Sequence, residues 1–474
     1  MAQRYDLVII GLGSGGTLAA EFAAGDLKLR VAAVERARIG GDCLWTGCVP
    51  SKALIASARV AHTVRHASEY GIAGAEPEVD LAAVWARIKD VQRGIATTDD
   101  SPDRFRELGV DLVEGTGRIT GYRQVTVDTT DGSRVLETRY ILICTGSRPS
   151  TPPIPGLAEV DFLTSENLFE IDAPPRSLVM IGGGPIAIEM AQAMVRLGVP
   201  TTVLEQAPRI VMRDEPELAD RLATILRAEG VDLHLSAAVT GVRAGGEGVV
   251  VETDEREFTA AGLVVATGRT SNVDSLGLEH FGIPVSTEGI ETDGRSRTLV
   301  PSIYVVGDAA KGRPQFTHVA AQDAVLAIRD MFFPGRGTPP HLIPWCTFTE
   351  PELAHVGLTA ARARERHGDR HVIVHRRELA AIDRARADGT TDGLIMIVTA
   401  RDRIVGGHAL APRAGELIHE LALAIEFGAK LTDLSDLIHI YPTLSTGIGR
   451  LAGDRSFQTA RKYRFLTKLS RWFG

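Results

Sequence analysis

Tyr5-Asp-Leu-Val-Ile-Ile10-Gly11-Leu-Gly13-Ser-Gly-Gly16 is the stretch on which the fold turns. Its first six residues read as a parallel strand buried on both faces, and the glycines follow at once, opening the apolar helix Thr17 to Ala24. Strand, tight glycine turn and helix N-terminus make a site for a pyrophosphate. The glycines let the backbone approach closely, while the amides and dipole of the helix hold the negative charge. The next strand, Arg30 to Val34, ends in Glu35, placed to bond ribose hydroxyls.

The same device recurs. Ser177-Leu-Val-Met-Ile181 leads into Gly182-Gly-Gly184-Pro-Ile-Ala187, a helix to Leu197, and the strand Thr201-Thr-Val-Leu204 ending in Glu205. Ala187 stands at the third glycine position, where a small side chain still permits close helix-strand packing. Glu205 would accept bonds from a free ribose 2′-hydroxyl and repel a 2′-phosphate, which favours NADH over NADPH, although Arg209 lies close enough in sequence to blur that preference. Two shorter echoes, Ile141 to Pro149 around Gly146 and Leu263 to Thr270 around Gly268, support an internal duplication. Ser302-Ile-Tyr-Val-Val-Gly307-Asp308 reads as a strand delivering an acidic side chain to a glycine turn.

Between the two glycine devices lies Cys43-Leu-Trp-Thr-Gly-Cys48-Val-Pro-Ser-Lys52. Two thiols this close can open and close a disulfide, which requires a lowered thiol pKa at one of them. Pro50 suits the first turn of a helix through Ser51 to Ala58, which places Cys48 at the positive helix end with Lys52 one turn on. A coincidental pair, a structural bridge and half a zinc site are the alternatives. No second Cys pair offers the remaining zinc ligands, and no resident metal is expected.

Taken together these residues resemble the class I pyridine nucleotide-disulfide oxidoreductases, the family of glutathione reductase, dihydrolipoamide dehydrogenase and mercuric reductase. The resemblance covers essentially the whole chain. It implies an α/β fold with two Rossmann-like dinucleotide-binding domains, for FAD and NAD(P), and a C-terminal α+β dimerisation domain. By the resemblance, Gly11, Gly13, Gly16 and Glu35 bind the ADP part of FAD and Asp308 its ribityl chain. Gly182, Gly184, Ala187 and Glu205 hold the nicotinamide nucleotide. Cys48 is the thiol next to the flavin, Cys43 the interchange thiol, and Lys52 pairs with Glu189 beside the flavin. The active enzyme is a homodimer in which each subunit completes the other's site.

The implied organisation is an FAD domain over 1–152, an NAD(P) domain over 153–272, a return to the FAD domain over 273–340, and the dimerisation domain over 341–474. Pro152-Pro-Ile-Pro155 and Phe333-Pro-Gly-Arg-Gly-Thr-Pro-Pro340 punctuate two of these boundaries. In the last segment Ile343 to Phe348, His371 to Arg376, Gly393 to Thr399 and Ile404 to Leu410 read as strands, and Ala414 to Phe427 as an amphipathic helix.

Composition excludes more than it proves. With 44% hydrophobic and 24% charged residues the 474-residue chain has ample material for cores, and a net charge of −8 argues against a nucleic-acid partner. Four cysteines are too few for an extracellular disulfide scaffold, so Cys144 and Cys346 read as buried thiols in strands. The first strand begins within about five residues, no apolar run approaches the roughly 20 residues of a membrane span, and a cytoplasmic location is expected. The closing Arg461 to Phe473 interleaves basic and apolar residues, suited to weak contact with an anionic membrane surface.

One segment departs from the family. Its disulfide reductases carry His-Pro and, a few residues later, Glu, as an acid-base pair for the interchange thiol. Here the segment reads His439-Ile-Tyr441-Pro442-Thr-Leu-Ser-Thr446, with Tyr441 in the His place and Thr446 in the Glu place. A phenol with a pKa near 10 is a poor proton shuttle at neutral pH. Tyr441 resembles the mercuric reductase branch, without that branch's terminal Cys pair. Two histidines offer substitutes: His439, on the same face as Tyr441 if the segment is an extended strand, and His318, where the family's chain passes the flavin. The expected activity is electron transfer from NADH, less readily NADPH, through FAD and the Cys43-Cys48 pair to a metal ion, a quinone or a disulfide. The alternatives are a dihydrolipoamide dehydrogenase that uses His439 or His318, and a flavin-bound redox sensor or complex subunit.

Overall fold

The computed structural model describes residues 4–246, 248–333 and 342–462, and the basic tail beyond Lys462 lies outside them. The chain divides into two compact units, one of residues 1–181, 196–199 and 240–340, the other of 182–195, 200–239 and 341–474.

The first unit is built around strand β1 (Tyr5–Ile10), helix α1 (Ser14–Ala20) and strand β2 (Val31–Glu35). Strands Val110–Glu114, β2, β1, Gly132–Ile143 and Ile303–Val305 run parallel in that order. Both faces are buried, as the unbroken apolar runs demand. Val8, Ile10, Val34, Ile141 and Ile143 face one core, while Leu7, Ile9, Ala33 and Leu142 face another. In the second core Ala19, Ala20 and Ala23 meet Ala324, Ala327 and Ile328 of helix Thr317–Phe332, small side chains that let two helices approach the sheet closely. The expected helix Thr17 to Ala24 starts earlier and continues as a π-helical turn, Glu21–Asp26, where Leu27 N–H reaches Phe22 O.

Thr116–Gly121, Gln124–Thr129 and Gly132–Ile143 add an antiparallel meander to this sheet. Leu178–Ile181 pairs in parallel with Gly262–Val265. The two short echoes noticed in the sequence pair with each other, Ser147–Pro149 lying antiparallel to Arg269–Ser271. They form a two-stranded ribbon between blocks of the chain about 120 residues apart.

The second unit holds the helix Pro185–Arg196 up to Val195, the parallel pair Thr201–Glu205 and Asp232–Leu235, and a five-stranded antiparallel sheet. In that sheet the order is Trp345–Thr347, Glu352–Gly357, Arg403–Ala411, Leu394–Ala400 and Val372–Glu378. Four of these strands match the sequence reading to within about two residues. Glu352–Gly357 was not foreseen, because Pro351 precedes it and Leu353 to Val356 are all buried, which hides the two-residue alternation. Ala354, Val356, Ile395, Ile397 and Ala409 pack against Ile418 and Leu421 of helix Ala414–Glu426 and Ile448 and Leu451 of helix Thr446–Lys462.

A buried polar pocket in this unit sets a pH dependence. Asp214 accepts a hydrogen bond from Trp345 Nε1 at 2.9 Å, and burial pushes its carboxyl up to about 7. The folded protein therefore holds this proton between about pH 4 and 7, where the unfolded chain releases it, and stability falls as pH rises through that window. Asp214→Asn keeps the acceptor for Trp345 and removes the charge. It should stabilise the protein by about 1–3 kcal/mol at pH 8 and by little at pH 4; equal shifts at both pH values in thermal melts would refute the assignment.

Candidate active site

In the first unit the nucleotide loop is formed by residues that tolerate almost no side chain. Gly11 has φ +95°, and a Cβ there would lie 2.6 Å from Cys144 O; at Gly16 it would lie 1.9 Å from Gly11 O. Helix α1 begins at Gly13 with no side-chain cap, so its first-turn amides point into the loop. Glu35 accepts from Leu12 N at 2.7 Å and from Ala37 N at 2.8 Å, which fixes the carboxylate at the strand end with lone pairs to spare.

The second unit repeats this arrangement atom for atom. Glu205 accepts from Gly183 N, the residue after Gly182, and from Ala207 N at 2.6 Å. Ala187 is buried, as close helix packing requires. Arg209, the residue that blurred the NADH preference, is engaged elsewhere: its Nε donates to Asp220 Oδ1 at 2.6 Å.

Around Asp308 the first unit gathers a connected polar set. Asp308 accepts from Ser147 Oγ at 2.6 Å, and burial raises its carboxyl above the usual range. Arg269 Nε donates to Ser147 Oγ at 2.7 Å, and its Nη2 donates to Ser147 O at 2.9 Å and to the Asp42 carboxylate. Gly146 and Gly268 both have positive φ, at the turns leading into the two strands that carry Ser147 and Arg269.

The two thiols lie on consecutive helices, α2 (Gly41–Trp45) holding Cys43 and α3 (Cys48–Arg65) beginning with Cys48. The two are not joined in a disulfide here, and Cys48 is exposed and Cys43 half-buried. Cys48 is the first helical residue of α3, after Gly47, and Pro50 lies in the first turn as expected. Cys48 Sγ and Thr317 Oγ1 are 3.2 Å apart. The Cys43 thiol is held far above its ordinary pKa, first by its hydrogen bond to Cys48, then by burial and by the Cys48 charge, against weaker opposing bonds from Thr317 and Ser14. Lys52 Nζ donates to Ser51 Oγ at 3.3 Å. Thr317, Ser14, Ser147, Arg269 and Asp42 were not singled out from sequence; Thr317, Ser147 and Arg269 are brought in from 100 or more positions away and leave no local pattern, and the roles of Ser14 and Asp42 show only once those partners are in place.

His318 is exposed in the first turn of helix Thr317–Phe332, its ring stacked on Phe316 at 5.3 Å. In the second unit Glu189 is buried and accepts from Phe348 N at 2.9 Å. The expectation that His439 and Tyr441 share one face of an extended strand is wrong. The segment is irregular, because Pro442 follows Tyr441 and no neighbouring strand takes up its backbone. His439 turns inward, its Nε2 2.9 Å from Glu420 Oε1 and its Nδ1 3.1 Å from Leu437 O, against the space left by Gly449. Tyr441 turns outward, 66% exposed, and its hydroxyl donates to Asp383 at 3.3 Å. Thr446 starts the following helix. Cys144 is buried one residue past its strand, and Cys346 is half-buried within one.

The first glycine loop, its uncapped helix, Glu35 and the half-buried Asp308 thus fit a dinucleotide such as FAD. Comparison with known proteins agrees. The family described as pyridine nucleotide-disulphide oxidoreductase matches residues 5–324, and its dimerisation domain matches residues 343–452. The chain is 34% identical over 466 residues to the mitochondrial dihydrolipoyl dehydrogenase of Dictyostelium discoideum, covering 95% of this chain and 94% of the relative. It is 34% identical over 457 residues to a mercuric reductase of Streptomyces lividans, covering 94% of each. Among solved structures it is similar to the Cu(II) complex of the HOCl-induced flavoprotein disulfide reductase RclA from Escherichia coli, at TM-score 0.84 and 27% identity, covering 95% of this chain and 99% of that one. No helix among the described residues is long and apolar enough to cross a membrane. The chain belongs to the pyridine nucleotide-disulphide oxidoreductases, and is a class I flavoprotein enzyme that works with FAD and NAD(P)H.

Proposed function

We propose that the protein is an NADH-dependent reductase of a thiophilic metal ion, Cu(II) or Hg(II), which it binds through Cys43 and Cys48. The observation that carries this is the pairing of the thiols with the outward phenol: Cys43 is hydrogen-bonded to Cys48 and met by the hydroxyls of Thr317 and Ser14, while Tyr441, a phenol of high pKa, stands 66% exposed where the family's disulfide reductases carry a histidine. A disulfide substrate needs protons delivered to the departing thiol. A metal ion only displaces protons as the two thiolates close on it, and sulfur suits soft Hg(II) and the Cu(I) to which Cu(II) is reduced. The mercuric reductase and the Cu(II) complex named above point to the same chemistry.

In this reading FAD, when bound, takes a hydride from NADH and passes two electrons on. Gly11, Gly13, Gly16 and Glu35 hold its ADP part, Asp308 and Ser147 its ribityl chain, and Gly146 and Gly268 shape the ribbon that brings Ser147 and Arg269 to it. Lys52 is the charged residue of the first unit assigned to its ring. Gly182, Gly184, Ala187 and Glu205 bind the nicotinamide nucleotide. The domain limits are those of the sequence, 1–152, 153–272, 273–340 and 341–474. The enzyme is a homodimer, and the outward Tyr441, with exposed Leu437, Ile438 and Ile440 before it, is the part presented to the partner's thiols. The test is NADH oxidation with Cu(II) or Hg(II) in the wild type and in Cys43→Ser; turnover that survives the substitution would move the chemistry away from the thiols, to a quinone or other small electrophile.

NADH is the expected donor because Glu205 guards the ribose 2′ position while Asp220 holds Arg209. The kcat/KM for NADH should exceed that for NADPH by about tenfold, as one repelled charge is worth about 1–3 kcal/mol. Asp220→Ala should narrow the gap by freeing Arg209. Faster turnover with NADPH in the wild type would show that Arg209 governs the pocket.

His439 facing Glu420 is the observation in favour of a second reading, a dihydrolipoyl dehydrogenase activity like that of the relatives. An imidazole oriented by a carboxylate is a competent base. Its inward turn, with 9% of the side chain exposed, counts against it.

A further inference from the structure

Asp42 immediately precedes Cys43 in α2, a helix of only five residues that begins at a left-handed Gly40. So short a helix has little cohesion of its own. Gln92 Nε2 holds its C-terminal end by donating to Leu44 O at 3.1 Å and Trp45 O at 2.7 Å, and next to Cys43 it is tied by the ion pair from Asp42 to Arg269, a residue 227 positions away. Arg269 is 17% exposed and itself immobilised: Nε is bound to Ser147 Oγ at 2.7 Å, Nη2 to Ser147 O at 2.9 Å, and the Asp308 carboxylate lies 3.9 Å from Nε. A planar guanidinium with its donors divided in this way is a rigid bracket, which a flexible lysine cannot reproduce.

We propose that Asp42 and Arg269 form a latch that fixes the turn bearing Cys43 at closing distance from Cys48, which makes both of them positioning residues for the thiol pair. The latch acts by holding geometry rather than by charge. The groups acting most strongly on the Cys43 thiol are Cys48, Thr317 and Ser14, whereas Asp42 directs its carboxylate to Arg269. Releasing it lowers the effective concentration of one thiol at the other, so the disulfide becomes easier to reduce, and it weakens the hydrogen bond to Cys48 that retains the Cys43 proton.

The experiment equilibrates holoenzyme with glutathione redox buffers and counts free thiols by mass spectrometry after alkylation, alongside the pH profile of Cys43 alkylation by iodoacetamide. In Asp42→Ala the disulfide should be about tenfold easier to reduce, a rise in potential of about 30 mV, with the pH midpoint of Cys43 alkylation lowered as the bond to Cys48 weakens. Asp42→Asn, which keeps an acceptor, should lie between Asp42→Ala and wild type, and Arg269→Lys should match Asp42→Ala. An unchanged potential in Asp42→Ala, or an alkylation midpoint that stays put or rises, overturns the latch. The inference rests on Cys43 being the interchange thiol, and a spectrum of the holoenzyme separates the two. If the charge-transfer band persists in Cys48→Ser and vanishes in Cys43→Ser, that role fails, while the latch is still judged on the potential.

Discussion

With NADH in excess, the wild-type protein should turn over Cu(II) or Hg(II) at least a hundredfold faster than lipoamide or glutathione disulfide. The reason is proton management. General acid-base help is worth about 10² to 10⁴ in rate, and a thiol whose proton is held as firmly as that of Cys43 needs it in full to attack or leave a disulfide. The outward position that would supply it carries Tyr441, a phenol. A metal ion bypasses the requirement by competing with the protons directly. Two substitutions divide the alternatives. Tyr441→Phe should slow metal turnover if the phenol contacts the ion, and should leave quinone reduction untouched. Tyr441→His should raise lipoamide turnover at least tenfold, because Asp383, kept ionised by Arg450 at 2.7 Å, stands ready to orient an imidazole there. If the wild type instead reduces lipoamide faster than either metal, the disulfide reading is correct, and His439→Gln is the substitution that should abolish that activity.

What the sequence conveyed was whatever is encoded over a few consecutive residues. The strand before Gly11, the glycine loop, Glu35 and their repeat at Ile181 to Glu205 are local statements about backbone freedom and charge, and the structure places Glu35 and Glu205 on equivalent amides. Cys48 at the start of α3 was legible for the same reason, since Pro50 announces a first helical turn. The illegible parts depend on where distant segments return. Thr317 is brought to Cys48 from 269 positions away, and Arg269 to Asp42 from 227. His439 and Tyr441 failed for a related reason. A spacing of two fixes a common face only when a neighbouring strand holds the backbone extended, and this segment has no such neighbour.

Reduction of the FAD-loaded enzyme by two electrons should give a long-wavelength charge-transfer absorbance that depends wholly on Cys48. Cys43 is hydrogen-bonded to Cys48, and that bond is the largest reason its own proton is retained, which favours Cys48 as the charged thiol of the pair. The surroundings suit it: the first turn of α3 is uncapped by any side chain, and Thr317 Oγ1 is within 3.2 Å. Cys48→Ser should therefore abolish the band at every pH. Cys43→Ser should show it even without reductant, because Cys48 can no longer enter a disulfide, and its serine hydroxyl can still donate to the thiolate. Thr317→Val removes one hydroxyl donor and should move the pH at which the band appears upward, since the thiolate loses a hydrogen bond that favours the charged form. A band that persists in Cys48→Ser and vanishes in Cys43→Ser would exchange the roles of the two thiols, and with them the side from which an acceptor reaches the pair.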